Sequence, residues 1–327
     1  MKISTLPLPL TALCLLCALS LLGQNHSAAI TVAKDGSGDY TSIQEAIQSA
    51  KAYPYEVITI YIKKGIYTEK VHIPAWNPSI HLIGESRDST IIRFGDYFGG
   101  INKGRNSTFM TATLQIDASD ITCRHLTIDN SAGPVGQAIA LYISGDRCLV
   151  EDCKILGYQD TFFATGENTR ALVRNCFISG TTDFIFGDAT TVFMNCQIHC
   201  LSDSYITAAS TNRGQPYGLV FKDCEVTAAP GVHHVLLGRT WRRHAKTVWL
   251  NTVLGDFIAP AGWDNWRDST NNKSAFYAEY NSSGKGANPK GRVPWAHQLS
   301  TTQAAAFNLG NIFNAGLPPG STNAWRP

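Results

Sequence analysis

The sequence has few charged residues, and neither sign of charge dominates. Asp, Glu, Lys and Arg make up only 16% of the 327 residues, and the formal net charge at pH 7 is +2. Nucleic-acid-binding domains normally carry a concentrated excess of Lys and Arg, so the composition argues against that class of partner. Abundant Gly, Ser, Thr and Asn favour short strands joined by turns over long surface helices.

The chain also lacks a predicted membrane-spanning segment. Residues 13–22 form an apolar run that follows Lys2 but is too short to cross a bilayer. This pattern is typical of a secretory signal peptide, with cleavage expected between residues 23 and 29. We therefore expect residues 1–29 to be a signal peptide and residues 30–327 to form a single domain. The protein is expected to be exported, either to the periplasm or out of the cell, with no membrane partner.

Several common catalytic and metal-binding patterns are missing as well. No Cys/His cluster has the spacing of a zinc site, and no Gly-x-Ser-x-Gly segment marks a serine-esterase nucleophile. We therefore expect neither a metal ion nor a cofactor. Any hydrolytic chemistry should depend on other side chains.

What the chain does have is a repeat in which an aspartate follows a cysteine by seven residues. The three copies are Cys153 with Asp160, Cys176 with Asp183, and Cys196 with Asp203. They recur after 23 and then 20 residues, a period typical of stacked solenoid coils rather than of hairpins. The sequence thus predicts an all-β protein, a parallel β-helix with about three short strands per coil.

One short helix is predicted ahead of the first coil, over residues 41–50. Ile43, Ala46 and Ile47 have helical spacing, and Thr41 with Gln44 matches a capping box. We expect this helix to cover the open N-terminal end of the solenoid. A second short helix is expected over residues 301–307, against the side or end of the solenoid.

Four of the seven cysteines that follow the signal peptide share one repeat position: Cys153, Cys176, Cys196 and Cys224. Equivalent residues on stacked coils lie about 4.8 Å apart, which is within the Cα separation of a disulfide. A Cys176–Cys196 disulfide is one interpretation. An inward ladder of buried thiols is the other, and the sequence does not decide between them.

Two of the repeated aspartates have companions that suggest chemistry. Asp160 and Asp183 would face each other from successive coils, Gln159 precedes Asp160, and Gln137 lies 22 residues earlier. Paired carboxylates can perform acid–base or nucleophilic catalysis, and two amides could stabilise an oxyanion. The structural alternative is that all four are turn residues. For Asp203, which lacks such companions, we expect a turn role.

Aromatic and basic residues complete the candidate site. Phe163 and Phe186 follow the two aspartates, and Trp241 follows Arg239, so these rings could line a sugar groove and Arg239 could keep a carboxylate ionised. The alternative for the phenylalanines is core packing, which we expect for Phe184. The one basic cluster is Arg239, Arg242, Arg243, His244 and Lys246. It is either a solvated loop or a binding site for an acidic ligand.

The motifs together resemble those of the pectin methylesterases (pectinesterases). The resemblance is carried by residues 65–69 (GIYTE), 137–141 (QAIAL), 157–161 (GYQDT), 183–187 (DFIFG) and 237–241 (LGRTW). It begins at residues 32–40 and continues through residues 260–263, 277–280 and 292–295, so it covers nearly the whole predicted domain in the expected order.

This resemblance implies a right-handed parallel β-helix and hydrolysis of galacturonate methyl esters in pectin. By position, Asp183 would be the nucleophile and Asp160 the general acid and then base. Gln137 and Gln159 would form the anion hole, Arg239 would orient Asp183, and Trp241, Phe163 and Phe186 would contact the sugars. Methylesterified homogalacturonan is the implied partner, and a monomer is expected. This chain departs from the commoner family pattern at Thr240, where proline is frequent, and at Phe162-Phe163, where Leu-Tyr is frequent.

Two other functions remain open from the sequence. Paired carboxylates on a similar solenoid can also cleave glycosidic bonds, so a pectin-backbone hydrolase or a lyase is one alternative. A polygalacturonase would more typically show an Asp-Asp pair and a Gly-His-Gly turn, which are absent. A non-catalytic carbohydrate-binding protein is the other alternative, and the intact set of candidate catalytic residues argues against it.

Overall fold

The computed structural model describes residues 29–327, which form 27 short strands and 4 α-helices. The predicted signal peptide lies outside the described residues, except that Ala29 begins the first strand. The helices are α1 Ile43–Ser49, α2 Phe98–Ile101, α3 Thr301–Ala305 and α4 Leu309–Phe313, and the 3-10 helices are Ser107–Met110, Ser269–Lys273 and Pro289–Gly291. No helix within residues 29–327 has both the length and the apolar character needed to span a membrane.

The strands are numbered along the chain. They are β1 Ala29–Val32, β2 Ile58–Ile62, β3 Gly65–Thr68, β4 Val71–Ile73, β5 Ile80–Gly84, β6 Thr90–Phe94, β7 Leu114–Ile116, β8 Thr122–Arg124, β9 Thr127–Asn130, β10 Leu141–Ile143, β11 Cys148–Glu151, β12 Lys154–Leu156, β13 Phe162–Ala164, β14 Arg170–Arg174, β15 Phe177–Gly180, β16 Ile185–Gly187, β17 Thr190–Met194, β18 Gln197–Cys200, β19 Tyr205–Ala209, β20 Leu219–Lys222, β21 Glu225–Ala228, β22 Leu236–Thr240, β23 Lys246–Leu250, β24 Val253–Leu254, β25 Trp263–Asp264, β26 Phe276–Tyr280 and β27 His297–Gln298.

Three parallel sheets run the length of the molecule. The first sheet has 11 strands, from β1 to β27, and the second (β3 to β24) and third (β4 to β25) have 8 each. From β2 to β26 successive strands belong to successive sheets, so β11, β12 and β13 make one coil and β14, β15 and β16 make the next. The structure confirms the predicted parallel β-helix with three strands per coil.

The interior is filled by ladders of equivalent apolar side chains. On the second sheet, Ile155, Ile178, Ile198 and Val226 are in register on four successive strands, and all are buried. Each inward position therefore packs against its own equivalents one coil above and below. This arrangement explains why the apolar pattern of the sequence repeats once per coil.

The corner between the first and second sheets explains the repeated cysteines. One residue at each corner adopts a left-handed conformation: Asp152, Asn175, Asn195, Asp223 and Asn251 have φ between 50° and 55°. Asp and Asn tolerate this conformation better than most residues. In the first four of these corners the next residue is a cysteine, whose side chain turns inward.

The cysteines form a ladder of thiols, and the Cys176–Cys196 disulfide is not formed. All seven cysteines within residues 29–327 are buried and free. Cys176 Sγ lies 3.2 Å from the carbonyl oxygen of Arg174, and Cys196 Sγ lies 3.4 Å from that of Met194. These two thiols thus donate to backbone carbonyls of their own coils, so of the two interpretations the inward ladder is the one that the structure shows.

Helix α1 covers the N-terminal end of the solenoid, as predicted, but its cap differs from the prediction. Ser42, not Thr41, is the N-cap, and its Oγ accepts a hydrogen bond from the Glu45 amide at 3.3 Å. The Glu69 carboxylate accepts from the amides of Ile43 and Gln44 at 2.9 and 3.0 Å. A carboxylate from the first coil therefore takes the capping role that the local motif had suggested for residues 41 and 44.

The C-terminal segment covers the outer face of the first sheet. Helices α3 and α4 contribute to an apolar cluster with Leu172, Val192 and Val220, whose positions are in register on β14, β17 and β20. The Arg170 guanidinium donates to the carbonyls of Phe313 and Asn323 at 2.7 and 2.9 Å. The predicted second helix is confirmed, and it lies against the side of the solenoid.

Candidate active site

The candidate site lies on the outer face of the third sheet. Tyr142, Phe163, Phe186, Ala208 and Arg239 occupy one continuous row across strands β10, β13, β16, β19 and β22. Side chains alternate between the two faces of a strand, and the neighbouring positions in these strands point into the core. Residues almost 100 positions apart in sequence therefore become neighbours on one surface.

Asp160 and Asp183 occupy equivalent positions just before β13 and β16. Because Phe162 is in register with Ile185, the two aspartates lie opposite each other on adjacent coils. Both have left-handed backbones, with φ of 65° and 50°. Only 8% and 6% of their surfaces are exposed, so both residues are largely shielded from water.

Arg239 binds one of these two carboxylates. Its Nε donates to Asp183 Oδ1 at 2.8 Å, and its Nη2 donates to Asp183 Oδ2 at 2.5 Å. The guanidinium also contacts two rings, with its carbon 4.2 Å from the centre of the Tyr205 ring and 3.8 Å from that of the Trp266 ring. Arg239 thus contacts two rings as well as the Asp183 carboxylate.

The two carboxyl groups differ in electrostatic environment. Burial raises the pKa of Asp160 well above its ordinary value, and the negative charge of Asp183 raises it further, while Arg239 opposes the rise. Burial also raises the pKa of Asp183, but the paired Arg239 opposes that rise directly through hydrogen bonds and charge. Of the two, Asp183 ionises first and Asp160 retains its proton to higher pH.

Gln137 and Gln159 lie beside the two aspartates. They form an isolated parallel bridge, which makes them direct neighbours on adjacent coils. The Ala138 amide donates to the Gln159 carbonyl at 3.1 Å, and the Phe98 amide donates to the Gln137 carbonyl at 2.9 Å. Their backbones are fixed by these bonds, and both residues are half-buried. Their side-chain amides have no hydrogen-bond partner among residues 29–327 and are therefore available to a ligand.

Aromatic rings form a floor next to this polar group. Phe163 stacks on Phe186 with centroids 4.4 Å apart, and Trp241 lies edge-on to Phe186 at 5.8 Å. Phe109 and Tyr142 each contact Phe163 at 5.1 Å. Phe163 and Phe186 are only 5% and 4% exposed, so they form a packed base, and the half-buried Trp241 offers the larger accessible ring.

Comparison with known proteins identifies the family. A family model described as Pectinesterase matches residues 29–315. The chain belongs to the pectinesterase family. Its described residues contain no group of three or more His, Cys, Asp or Glu side chains placed to hold a metal ion.

Known relatives of the chain include both sequences and solved structures. A "Probable pectinesterase/pectinesterase inhibitor 58" of Arabidopsis thaliana is 34% identical over 89% of this chain and 53% of the relative. The chain thus spans about half the length of such curated relatives. "Pectin methylesterase from Carrot" has 32% identity and a TM-score of 0.82, covering 90% of this chain and 94% of that one. A pectin methylesterase in complex with "hexasaccharide VII" has 31% identity and a TM-score of 0.77, covering 88% and 97%.

Within this member of the pectinesterase family, sequence reasoning missed two residues that contact Arg239. Tyr205, not Asp203, is the third-coil equivalent of Asp160 and Asp183, because β19 is displaced relative to the cysteine repeat. Asp203 is exposed, and its Oδ1 accepts from the amides of His233 and His234 at 2.7 and 2.9 Å. Simple alternation would not have indicated Tyr205, because this residue lies three positions from the outward-facing Ala208 on β19. Nothing in the sequence pattern indicated Trp266, which lies in an irregular segment.

The departures from the common pectinesterase pattern are accommodated by local contacts. Thr240 is buried, and its Oγ1 accepts a hydrogen bond from Asn271 Nδ2 at 2.9 Å. Phe162 points into the core against Phe193, with centroids 5.3 Å apart. Phe184 is fully buried in the core, as expected.

The basic cluster predicted from the sequence is divided by the fold. Arg239 binds Asp183, and Lys246 Nζ donates to the carbonyls of Gln215 and Pro216 at 2.5 and 3.2 Å. Arg242, Arg243 and His244 instead border a cavity next to Trp241. The cluster is therefore not one functional unit.

Proposed function

We propose that this protein hydrolyses the methyl esters of galacturonate units in pectin, releasing methanol and leaving pectate. The observation that carries the proposal is the asymmetric carboxyl pair: Asp183 is bound by Arg239, and it lies opposite Asp160, whose pKa is raised by burial. Membership of the pectinesterase family and the likeness to a pectin methylesterase bound to a hexasaccharide support the substrate class.

In the first step, a carboxylate oxygen of Asp183 attacks the ester carbonyl carbon. The new carbon–oxygen bond pushes the carbonyl electron pair onto oxygen, and the amides of Gln137 and Gln159 donate to this oxyanion. When the oxyanion collapses, the bond to the methoxy group breaks. Asp160 transfers its proton to the departing oxygen, so that methanol leaves and an acyl-enzyme remains on Asp183.

In the second step, Asp160 is ionised and acts as a general base. It removes a proton from water as the water oxygen attacks the acyl carbon, and the bond to Asp183 then breaks. This returns Asp183 as a carboxylate, Asp160 as an acid and the galacturonate unit as a free acid. Each residue thus begins the next cycle in its original protonation state.

The low exposure of both carboxyl groups matters for this chemistry. Hydrogen bonds and charges act more strongly where water is excluded. The bidentate bond to Arg239 favours the ionised form of Asp183 and so opposes the effect of burial, and two rings contact the guanidinium. The backbone hydrogen bonds at Gln137 and Gln159 support a role for these residues as an anion hole, because they fix the main chain from which both amides extend.

We further propose that the protein acts outside the cytoplasm as a monomer, with a single domain over residues 30–327. Methylesterified homogalacturonan would be its partner, in pectin degradation or cell-wall modification. The predicted signal peptide supports export, and the unbroken series of coils from β1 to β27 supports a single domain.

The function is tested by measuring three products from one sample of methylesterified pectin. Methanol reports ester hydrolysis, new reducing ends report backbone hydrolysis, and ultraviolet absorbance reports the unsaturated uronate made by a lyase. We expect methanol alone. Reducing ends or unsaturated products without methanol would replace this proposal with a backbone-cleaving activity, and binding without any product would indicate a non-catalytic carbohydrate-binding protein.

A further inference from the structure

A tight turn with an unusual backbone carries Trp266, one of the two aromatic residues that contact Arg239. The Asp268 amide donates to the Asn265 carbonyl at 3.1 Å and closes the turn. The two central residues, Trp266 and Arg267, both have left-handed backbones, with φ of 57° and 59°. Turns with positive φ at both central positions normally use Gly, Asn or Asp there, because a bulky side chain makes this conformation costly. Local sequence preference therefore does not account for this turn.

Polar side chains of the same segment fix the turn. Asn271 is buried, and its Nδ2 donates to the Asn265 carbonyl at 3.0 Å. The Trp266 amide donates to Asp264 Oδ1 at 2.7 Å. Asn265 Nδ2 donates to Asn272 Oδ1 at 3.0 Å. A strained backbone persists where its surroundings fix it in this way, so contacts outside the catalytic pair determine where the Trp266 ring lies.

Strand β22 connects this turn to the candidate active site, because it carries both Arg239 and Thr240. Arg239 lies on the outer face of the sheet, whereas Thr240 is buried. Asn271 Nδ2 also donates to Thr240 Oγ1, at 2.9 Å. The Trp266 ring meets the other residue of this pair, with its centre 3.8 Å from the Arg239 guanidinium carbon. One buried hydrogen bond to β22 thus anchors the segment whose ring contacts the arginine next to it.

This anchor depends on the residue type at position 240. The Thr240 hydroxyl supplies the acceptor for Asn271 Nδ2. Proline, which is frequent here in the commoner family pattern, has no side-chain acceptor and could not form the bond. Serine has the same hydroxyl as threonine. The departure at Thr240 therefore has a specific structural consequence in this chain.

We propose that Trp266 is a positioning residue for Arg239. The hydrogen bond between Thr240 and Asn271 holds Trp266 in its place. This inference rests on the proposed function, because it concerns the arginine that orients Asp183 for attack on the ester. The face of an indole attracts a guanidinium, and a bidentate pair requires the guanidinium to align with the carboxylate. Loss of the ring should allow the guanidinium to shift, and small misplacements of catalytic groups slow a reaction strongly.

The first measurement compares two substitutions of Trp266. Initial rates of methanol release are measured over a range of concentrations of methylesterified pectin for the wild type, Trp266→Leu and Trp266→Phe. Leu removes the aromatic face, so kcat should fall by roughly twofold to thirtyfold, with little change in KM. Phe keeps an aromatic face and should recover most of the loss. A ring that only bound sugar would instead change KM and preserve kcat.

The second measurement tests whether Thr240 acts through Trp266. Thr240→Val removes the acceptor at nearly constant volume and should lower kcat by roughly twofold to tenfold. Thr240→Ser keeps the acceptor and should leave kcat close to that of the wild type. In the Trp266→Leu background, Thr240→Val should have no further effect on kcat, because the ring that it positions is already absent.

Thr127→Val is the matched control for loss of a buried threonine hydrogen bond. Thr127 is buried on the second sheet, and its Oγ1 donates to the Arg87 carbonyl at 2.6 Å. Its substitution should lower stability to urea and leave kcat unchanged. A fall in kcat equal to that of Thr240→Val would show a general effect of destabilisation and would overturn the role of Thr240.

Three further results would overturn the proposal: an unchanged kcat in Trp266→Leu, a change in KM alone, or an effect of Thr240→Val that is equally large with and without the Trp266 ring. Failure of the proposed function would appear separately, as absence of methanol release by the wild type. Urea unfolding of Trp266→Leu, Arg239→Gln and the double variant then tests the contact without any activity. Coupled losses of stability would support the positioning of Arg239 by Trp266, and strictly additive losses would overturn it.

Discussion

Asp160 and Asp183 are the same residue type at equivalent positions of adjacent coils, and Arg239 makes them chemically different. The spacing of 23 residues was enough to predict that they would meet. The spacing could not predict how little of each carboxyl group is exposed to solvent, because burial depends on the packing of neighbouring coils. The nearly complete burial of both carboxyl groups is what raises the pKa of Asp160.

That raised pKa has a consequence for stability. Above the ordinary Asp pKa of about 3.9, the unfolded chain releases the Asp160 proton while the folded protein still binds it. The folded state then holds more protons, so the free energy of unfolding falls as pH rises until the folded-state pKa is passed. Asn has no such proton. Asp160→Asn should therefore match the wild type in urea unfolding near pH 3 and become progressively more stable than it toward pH 7.

Asp203→Asn is a control, because the pKa of Asp203 is shifted in the opposite direction from that of Asp160. Hydrogen bonds from the His233 and His234 amides lower the pKa of the exposed Asp203 carboxyl. Its stabilisation is present above the unfolded pKa and is lost as pH falls through the folded one. This variant should be less stable than the wild type at pH 7. If the stabilities of both variants, each measured relative to the wild type, changed with pH in the same direction, the electrostatic environments assigned to Asp160 and Asp203 would be wrong.

The anion hole gives a kinetic prediction for a single amide. In the proposed mechanism Gln159→Ala removes one donor to the oxyanion, and it should lower kcat by roughly tenfold to a thousandfold because that bond matters most in the transition state. Gln197→Ala changes an amide on the second sheet and should leave kcat unaltered. Initial rates of methanol release over a range of pectin concentrations separate the parameters. A change in KM alone would assign Gln159 to substrate binding.

At the scale of elements, the corners and inward ladders were predictable because they depend on local sequence. Each Asx–Cys pair marks a left-handed corner followed by an inward side chain, and this recurs coil after coil. The cap of α1 was not predictable in this way. Glu69, which accepts its amide hydrogen bonds, is 25 or more residues away, so only the stacking of coil on helix brings it there.

The pairing of strand β16 with strand β13 requires a glycine at the end of β16, next to the candidate site. Gly187 has a φ of 125°, and an added Cβ would lie 1.9 Å from the Ala164 carbonyl oxygen on the adjacent strand. Gly187→Ala should therefore destabilise the protein by at least about 2 kcal/mol, through backbone strain and forced separation of β13 and β16.

Gly214→Ala provides the matched control for backbone strain alone. Gly214 also has a positive φ, of 85°, but nothing lies within 4 Å of the place that an added Cβ would occupy. Its substitution should cost only about 1–2 kcal/mol. Urea unfolding of both variants measures the difference, and equal losses would show that contact with Ala164 does not limit this strand.

At the scale of the whole molecule, the solenoid brings together residues from many coils. Gln137 and Trp266 are 129 positions apart, yet both belong to the surroundings of one carboxyl pair. The repeat predicted the corner residues Asp160 and Asp183, but it missed Tyr205 at the start of β19. Trp266, Phe109 and the C-terminal segment bound by Arg170 lie outside the repeat, so their positions follow from long-range packing that no periodicity records.

The central claim is that Asp183 is the nucleophile that releases methanol, and substitution of this residue tests it most directly. Methanol release from methylesterified pectin is compared among the wild type, Asp183→Asn and Asp203→Asn, after thermal unfolding has shown that each is folded. Asp203 belongs to the same cysteine–aspartate repeat but lies exposed, away from Arg239. We predict a loss of at least about a thousandfold for Asp183→Asn and near-normal release for Asp203→Asn. Near-normal methanol release by folded Asp183→Asn would contradict the account.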